Sequence, residues 1–417
     1  MAYAELTAPK RIILTPGPVE VDPRVLRAMG TPILGQFDPA FTANMNEVMD
    51  MLRQVFQTKN HWAYPVDGTS RSGLEAVLCS ILEPGDRVMV PIYGRFGHLF
   101  AEICERYGAE VHTIECPWGE VFEPGHVIAE MKKIKPKVLA MVHGETSTGR
   151  MQPLAEIGRA CREQDVLFVV DAVASIGGAD VRTDEWYIDA LVAGTQKCLS
   201  VPAGMAPITY NSRIEKIVLA RKKVERGIAT DEDRAYPRSM RPITSNYFDL
   251  GMLQDYWSPR RLNHHTEATS MIYALREGLR LVLDEGLGAR FSRHKLHEKA
   301  LIEGLLAMGL SLFGDPVHKL PCVTCVNIPD GTDGESVRHM LLEEFGIEIA
   351  SSFGPLHGKI WRIGTMGYGC RKDNVLALLG GLEAVLIRHG VKVNRGEGLQ
   401  AALDVYQSEK TKSIVLK

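Results

Sequence analysis

Two residues at the ends of apolar segments could together perform chemistry on an amine. Asp171 follows the apolar run in VVDAVAS, and Lys197 ends the segment AGTQK, 26 residues later. A lysine amine can form a Schiff base with a carbonyl and then act as a general base, while a carboxylate can keep a ring nitrogen protonated. This combination suits pyridoxal 5'-phosphate. A turn-capping aspartate and a solvated lysine are the alternatives.

A segment rich in glycine and hydroxyl groups, GTSRSGLEA, begins at Gly68 and leads into a helical pattern. The N-terminus of a helix offers unpaired N–H groups and the positive end of the helix dipole. Thr69 and Ser70 could add hydroxyl donors, so the segment could hold a phosphate. An ordinary N-cap would have the same composition.

Three more residues could complete a binding site. Phe96 could stack on a flat ring, Thr146 in HGETSTG could approach a ring oxygen, and Arg362 in WRIG could bind a carboxylate. Core packing for Phe96, a loop turn for Thr146 and a structural ion pair for Arg362 remain as alternatives.

Two kinds of segment alternate through the first half of the chain and would position these residues. Short apolar runs predict strands at residues 87–92, 111–115, 138–143, 166–170 and 190–193. Helical spacing of apolar residues predicts crossover helices at residues 71–82, 96–107 and 154–164. The alternation favours a mainly parallel sheet covered by helices, with ligands bound at the carboxyl ends of the strands.

The second half of the chain predicts a smaller α/β unit. A long helix at 266–285 precedes predicted strands at 322–328, 347–350 and 361–363 and predicted helices at 336–345 and 372–389. We therefore expect an N-terminal arm (1–21), a large domain (22–285), a small C-terminal domain (286–392) and a tail (393–417). The polar tail would lie on the surface or fold over a neighbouring chain.

Composition favours small-molecule chemistry. The chain has 417 residues, 45% of them hydrophobic, and a net charge of −3, which offers no basic surface for nucleic acid or an anionic membrane. It contains no apolar run of about 18 residues and no signal-peptide pattern, so we expect a cytoplasmic protein. Its eight cysteines are scattered and imply no disulfide framework.

Taken in order, these motifs resemble the class V aminotransferases, in particular the glyoxylate-using branch with its alanine-, serine- and ureidoglycine-dependent members. The likeness runs from TPGPV at Thr15 through GTSRSGLEA, HGETSTG, VDAVAS, GTQK and HHT to WRIGTMG. It implies a fold-type I α/β enzyme that depends on pyridoxal 5'-phosphate and works by ping-pong transamination, with a large mainly parallel-sheet domain and a smaller C-terminal domain.

The resemblance also implies roles for individual residues. Lys197 would carry the cofactor and move the proton, Asp171 would pair with the ring nitrogen, and Arg362 would bind the substrate carboxylate. The active sites of a homodimer would straddle its interface, with residues 263–266 contributed by the partner chain. The other implied cofactor contacts are Thr69, Ser70, Arg71, Phe96, Thr146, Val173, Gln196, Asn263 and Thr266.

Two amides distinguish this chain from the alanine- and serine-dependent relatives. Gln36 stands where those relatives usually have histidine, and Asn263 where they have tyrosine. If both face the substrate, their donors and acceptors suit a ureido group better than a methyl group. We therefore expect (S)-ureidoglycine, an intermediate of purine catabolism, as donor and glyoxylate as acceptor, giving glycine. Alanine or serine as donor is the alternative.

Other classes of protein fit less well. A cysteine desulfurase-like lyase needs a cysteine shortly before the substrate arginine, and the stretch ASSFGP at 350–355 has none. A DNA-binding regulator would need a basic module. We expect no metal at His264 and His265, because adjacent histidines point in different directions and no third ligand is evident. The CVTC segment at 322–325 lies in a strand pattern without a second pair.

Overall fold

The computed structural model describes residues 3–235 and 239–415. The strands are β1 (Ile12–Ile13), β2 (Trp62–Asp67), β3 (Arg87–Ile92), β4 (Glu110–Glu115), β5 (Val138–Val142), β6 (Gly144–Glu145), β7 (Arg150–Met151), β8 (Leu167–Asp171), β9 (Ala190–Val192), β10 (Met205–Tyr210), β11 (Val323–Asn327), β12 (Ile347–Glu348), β13 (Ala350–Ser351) and β14 (Ile360–Gly364).

The α-helices are α1 (Pro23–Met29), α2 (Pro39–Val55), α3 (Ser70–Ile81), α4 (Arg95–Arg106), α5 (Pro124–Ile134), α6 (Ala155–Glu163), α7 (Ser212–Arg221), α8 (Asp231–Ala235), α9 (Leu250–Trp257), α10 (Thr269–Glu285), α11 (Leu287–Ala307), α12 (Gly334–Phe345), α13 (Lys372–Arg388) and α14 (Glu397–Val415). Two short 3-10 helices cover Gly354–Leu356 and Gly367–Gly369.

Seven strands form the main sheet, in the order β2-β10-β9-β8-β5-β3-β4. Strand β10 is antiparallel to both of its neighbours, and the other pairs are parallel. Strands β5, β8 and β9 are buried along their whole length, because helices cover both faces of a parallel sheet. The predicted mainly parallel α/β fold is confirmed.

Strands β2 and β10 have no counterpart in the sequence-based prediction. Each contains a proline, and Pro65 and Pro207 lie opposite each other in the register of the pair. In both segments the proline lies in the middle and divides the apolar run, which weakens the strand signal. In β3, which the sequence does predict, Pro91 comes only after the apolar run Val88–Val90. Their omission matters for the site, because β2 leads directly into the proposed phosphate-binding segment.

A second hydrophobic core lies around the sheet β11-β14-β13 and helices α11, α12 and α13. The N-terminal segment joins this core, since β1 pairs in parallel with β12 and the Leu14 side chain is fully buried there. From Leu14 the chain continues toward Lys197, which lies in the loop after β9 of the large sheet. The N-terminal segment is thus bound to the smaller core before it reaches the site.

The C-terminal stretch differs from the tail that the sequence predicts. Its polar composition hides helix α14, of which Ala402, Val405 and Tyr406 are buried in the second core. The hydroxyl of Tyr406 lies 2.8 Å from Nδ1 of His297 on α11. Over residues 397–408, these three buried side chains are too few to produce a clear helical period in a polar sequence, and that is why the pattern is misleading.

Among the helices of the described residues, none combines the length and the apolar character needed to cross a membrane.

Candidate active site

The carboxyl ends of neighbouring strands bring the predicted chemical residues together. Asp171 is the last residue of β8, and Lys197 lies in the loop after β9, the parallel neighbour of β8. Both line a cavity of about 180 Å³. Seven other residues singled out from the sequence also line it: Thr69, Ser70, Arg71, Phe96, Thr146, Val173 and Gln196.

Lys197 has an amine in a state suited to proton transfer. Its side chain is buried, and burial, reinforced by the positive charge of Arg362, lowers the pKa of the amine to about 8. The amine donates a hydrogen bond to the carbonyl of Pro16 in the N-terminal segment. A Cβ on Gly17 would lie 2.5 Å from the lysine nitrogen, so glycine is required for this approach. Sequence reasoning assigned no role to the Pro16 carbonyl.

The pKa of the Asp171 carboxyl is raised, whereas that of the Lys197 amine is lowered. Burial raises the pKa of its carboxyl to about 7. Its Oδ1 accepts a hydrogen bond from the N–H of Val173 at 2.9 Å, which leaves Oδ2 for a ligand. A positively charged ring nitrogen beside this oxygen would favour the ionised carboxylate.

The N-terminus of α3 forms one wall of the cavity. The N-cap residue Thr69 makes no capping hydrogen bond with its side chain, so its hydroxyl stays available. The Ser70 hydroxyl lies 2.9 Å from the amide nitrogen of Gln196. This proximity requires Gly194, because a Cβ there would lie 2.3 Å from the Ser70 oxygen. The helix end and these polar groups are suited to hold an anion.

Phe96 is held at the cavity by a residue that the sequence analysis did not single out. The Phe96 N–H donates to the buried carboxylate of Glu145 at 2.9 Å. The same carboxylate accepts the Ser147 N–H at 2.9 Å and the Ser147 hydroxyl at 2.6 Å. Burial raises the pKa of Glu145. The only available sequence signal was an acidic residue inside the HGETSTG segment.

Arg362 is a buried cation whose observed acceptors are carbonyl oxygens. Its Nε donates to the carbonyl of Ser351 at 2.7 Å and its Nη1 to the carbonyl of Thr146 at 3.1 Å. The guanidinium also lies over the ring of Phe353, 4.4 Å from the centroid. Burial lowers its pKa to about 10. These contacts fix its direction without neutralising its charge, which suits the binding of an anion.

The remaining predicted residues lie elsewhere on the chain. Gln36 and Asn263 contact each other, with Gln36 Nε2 donating to Asn263 Oδ1 at 3.0 Å. The Gln36 carbonyl accepts the N–H of Glu267 at 3.2 Å. Asn263 and Thr266 are exposed. Within the described residues, neither these three residues nor Arg362 line the cavity of their own chain, and Arg362 is linked to it through the carbonyl of Thr146, which does line it.

These features fit pyridoxal 5'-phosphate. The cavity places a buried lysine amine, a buried carboxyl with one oxygen open and an uncapped helix N-terminus around a single space. The three groups match the carbonyl, the pyridine nitrogen and the phosphate of that cofactor. Phe96 adds an aromatic ring at the same cavity.

Comparison with known proteins finds a matching family model and transaminases among the relatives. Residues 28–225 match the model of the family described as aminotransferase class-V. The chain is 69% identical to the (S)-ureidoglycine–glyoxylate transaminase of Bacillus subtilis over 404 residues, which cover 97% of each protein. It is 36% identical to the alanine–glyoxylate aminotransferase of Callithrix jacchus over 374 residues, 89% of this chain and 86% of the relative.

Solved structures agree in fold. The crystal structure of ureidoglycine-glyoxylate aminotransferase from Bacillus subtilis superimposes with a TM-score of 0.92 at 66% identity, covering 97% of this chain and all of that one. An alanine–glyoxylate aminotransferase from Nostoc gives a TM-score of 0.86 at 39% identity, covering 93% of this chain and 98% of that one.

Proposed function

The chain belongs to the class-V aminotransferase family, and from that premise we propose that it transfers the amino group of (S)-ureidoglycine to glyoxylate with pyridoxal 5'-phosphate as cofactor. The observation that carries the proposal is the 69% identity, across nearly the whole of both chains, with a protein of that activity. Identity with the alanine-dependent relative is about half as high.

When bound, pyridoxal 5'-phosphate supplies a carbonyl that receives the amino group and a ring that withdraws electrons from the carbon losing its proton. Lys197 would anchor the cofactor and then carry that proton, for which a pKa of about 8 is well placed at neutral pH. Asp171 would hold the proton on the ring nitrogen. Arg362 would bind the carboxylate that both substrates share.

The amide pair supports ureidoglycine as the donor. The Gln36 carbonyl is occupied by the Glu267 N–H, and the Asn263 carbonyl by the Gln36 amide. Amide N–H groups of both residues remain for a ligand. Such donors fit a ureido carbonyl oxygen, whereas the methyl group of alanine offers nothing to accept them.

We propose a homodimer as the working unit. Asn263 and Thr266 are exposed and lie outside the cavity of their own chain. They could touch a cofactor only if it belonged to a neighbouring copy, so the proposed cofactor and donor contacts require two chains. A sedimentation measurement that finds only monomers at working concentration would contradict this arrangement.

A single-turnover experiment tests the amino donor. The cofactor-loaded protein would be mixed separately with freshly generated (S)-ureidoglycine, L-alanine and L-serine, and absorbance would report conversion of the cofactor to its amine form. We expect rapid conversion by ureidoglycine and recovery on adding glyoxylate. Faster conversion by alanine or serine, with ureidoglycine inert, would refute the donor and leave the family chemistry in place.

A further inference from the structure

Three ionisable side chains lie together outside the cavity, next to the segment that leads into α3: Asp67, His265 and Glu267. His265 Nε2 lies 3.2 Å from Asp67 Oδ2 and 3.7 Å from Glu267 Oε2. One ligand-type atom from each of the three residues lies within 4.8 Å of the other two. Asp67 ends β2, whereas His265 and Glu267 precede α10. The fold thus joins segments that are almost 200 residues apart in the sequence.

The cluster lacks the hydrogen bonds that buried polar groups normally have. The Glu267 side chain is 1% exposed, and the His265 side chain 10%. Within the described residues, no hydrogen-bond partner is found for either carboxylate oxygen of Glu267, for Asp67 Oδ1 or for His265 Nε2. Burial of an unpaired carboxylate is costly, and two adjacent carboxylates need either a shared proton or a cation between them.

The neighbouring histidine determines how His265 is oriented. His264 Nε2 lies 3.3 Å from the carbonyl of Asn246, so in the neutral ring this nitrogen carries the hydrogen. His264 Nδ1 then accepts from His265 Nδ1, which is 2.8 Å away. In a neutral His265 the lone pair therefore lies on Nε2 and faces both carboxylates. A metal ion in this position would satisfy all three groups.

We propose that Asp67, His265 and Glu267 bind one divalent cation that accepts mixed nitrogen and oxygen ligands, such as Zn²⁺ or Mn²⁺. Bonds of about 2.0–2.2 Å to such ligands separate the ligand atoms by about 3.0–3.5 Å, close to the observed distances around His265. Imidazole and carboxylate ligands suit these ions, whereas thiolates select softer metals. The sequence offered no third ligand for the adjacent histidines because Asp67 and Glu267 complete the set only in the fold.

The site would couple two segments of the proposed active site. Asp67 directly precedes the segment Gly68 to Arg71, and Thr266 lies between two of the proposed ligands. A bound cation would fix the positions of both segments, which are the proposed contacts of the cofactor phosphate in the same copy and in the neighbouring one. This inference does not depend on which amino donor the protein uses.

Titration with Mn²⁺ tests the site. Cofactor-loaded protein would be freed of metal with a chelator and titrated with Mn²⁺, and the free ion would be followed by electron paramagnetic resonance. We expect saturation at one Mn²⁺ per chain, and Glu267→Gln should weaken binding at least about tenfold. Electron spin echo modulation of the wild-type protein should detect one coupled imidazole nitrogen, a readout that needs no variant.

His112→Gln is the matched control. His112 Nε2 also lies near a carboxylate, 3.1 Å from Glu110, but His112 is only half-buried, Glu110 is exposed, and the pair has one carboxylate only. Its substitution should leave Mn²⁺ binding unchanged. If Glu267→Gln does not fold, as judged by circular dichroism, Asp67→Asn takes its place. The absence of saturable binding of both Mn²⁺ and Zn²⁺ below about 1 mM, or binding that survives these substitutions, would overturn the proposal.

Discussion

The cavity at the end of β8 and the amide pair Gln36–Asn263 are built in opposite ways. In the cavity Lys197 and Asp171 are buried, and burial moves the pKa of both toward neutrality. The amide pair lies at the surface, and Asn263 is exposed. One chain therefore contains all the proposed proton-transfer groups, whereas the proposed donor contacts would form only when a second chain is present.

This difference suggests how one fold can serve several amino donors. The groups proposed to serve every transamination are buried at the carboxyl ends of the sheet strands, where a substitution disturbs both charge and packing. The groups proposed to recognise one donor lie on surface segments, where a side chain can change without disturbing the core. Substitutions in the two regions should therefore affect different kinetic constants.

Lys197→Ala should have the largest effect. Loss of the anchor and general base should lower kcat by at least about 10³-fold, because a positioned base alone contributes about 10²–10⁴-fold. Turnover of glyoxylate to glycine measures the loss. Lys359→Ala, which removes an exposed lysine, should retain full activity. Wild-type turnover by the Lys197→Ala protein would show that Lys197 takes no part in the reaction.

Asp171→Asn should have the second largest effect. The amide cannot carry the negative charge that keeps the ring nitrogen protonated, and breaking a buried charge pair costs about 3–5 kcal/mol, or about 10²–10⁴-fold in kcat. The cofactor absorbance should change in parallel. Unchanged kcat and an unchanged spectrum would show that Asp171 does not face the ring.

Arg362→Gln should act mainly on substrate binding. Charge-assisted hydrogen bonds contribute about 1.5–3 kcal/mol, so kcat/KM for glyoxylate should fall by about 10–100-fold. Arg338 is a suitable control, because it is paired with Glu335 at the surface. Arg338→Gln should leave kcat/KM within about twofold. Equal losses in both variants would point to a structural role for Arg362.

The pH dependence of stability should show the smallest effect of the four. In cofactor-free protein the folded-state pKa of Asp171 is raised from 3.8 to about 7, so the folded state binds more protons than the unfolded state between these values. Stability from this group is present below about pH 4 and is lost as the pH rises to about 7. Thermal melting of wild type relative to Asp171→Asn should show this decline, by up to a few kcal/mol. Parallel pH curves for the two proteins would contradict the burial of Asp171.

Local patterns in the sequence were sufficient to predict the parallel part of the sheet. Strand β3 coincides with the predicted residues 87–92, because a buried parallel strand is a continuous apolar run. Strands β2 and β10 lacked that signal because Pro65 and Pro207 divide their apolar runs in the middle, whereas Pro91 of β3 follows its apolar run. Helix α14 was not predicted because few side chains of its residues 397–408 are buried.

Residues of the candidate site were predictable where a motif marked them. Lys197, Asp171 and the segment into α3 follow recognisable patterns. Glu145 carries no such mark, because its role depends on the N–H of Phe96, 49 residues away. The cluster of Asp67, His265 and Glu267 likewise could not be predicted from the sequence, since it arises from contacts between distant segments.

In our proposal, the cavity residues perform the transamination while Gln36 and Asn263 select the amino donor. The double variant Gln36→His with Asn263→Tyr tests this central claim most directly. The measurement is the ratio of kcat/KM for (S)-ureidoglycine to that for L-alanine, with glyoxylate as acceptor. Loss of two hydrogen bonds of about 1 kcal/mol each predicts a fall in this ratio of at least about 30-fold, with the cofactor spectrum unchanged. An unchanged ratio, or an equal loss of activity with both donors, would contradict the account.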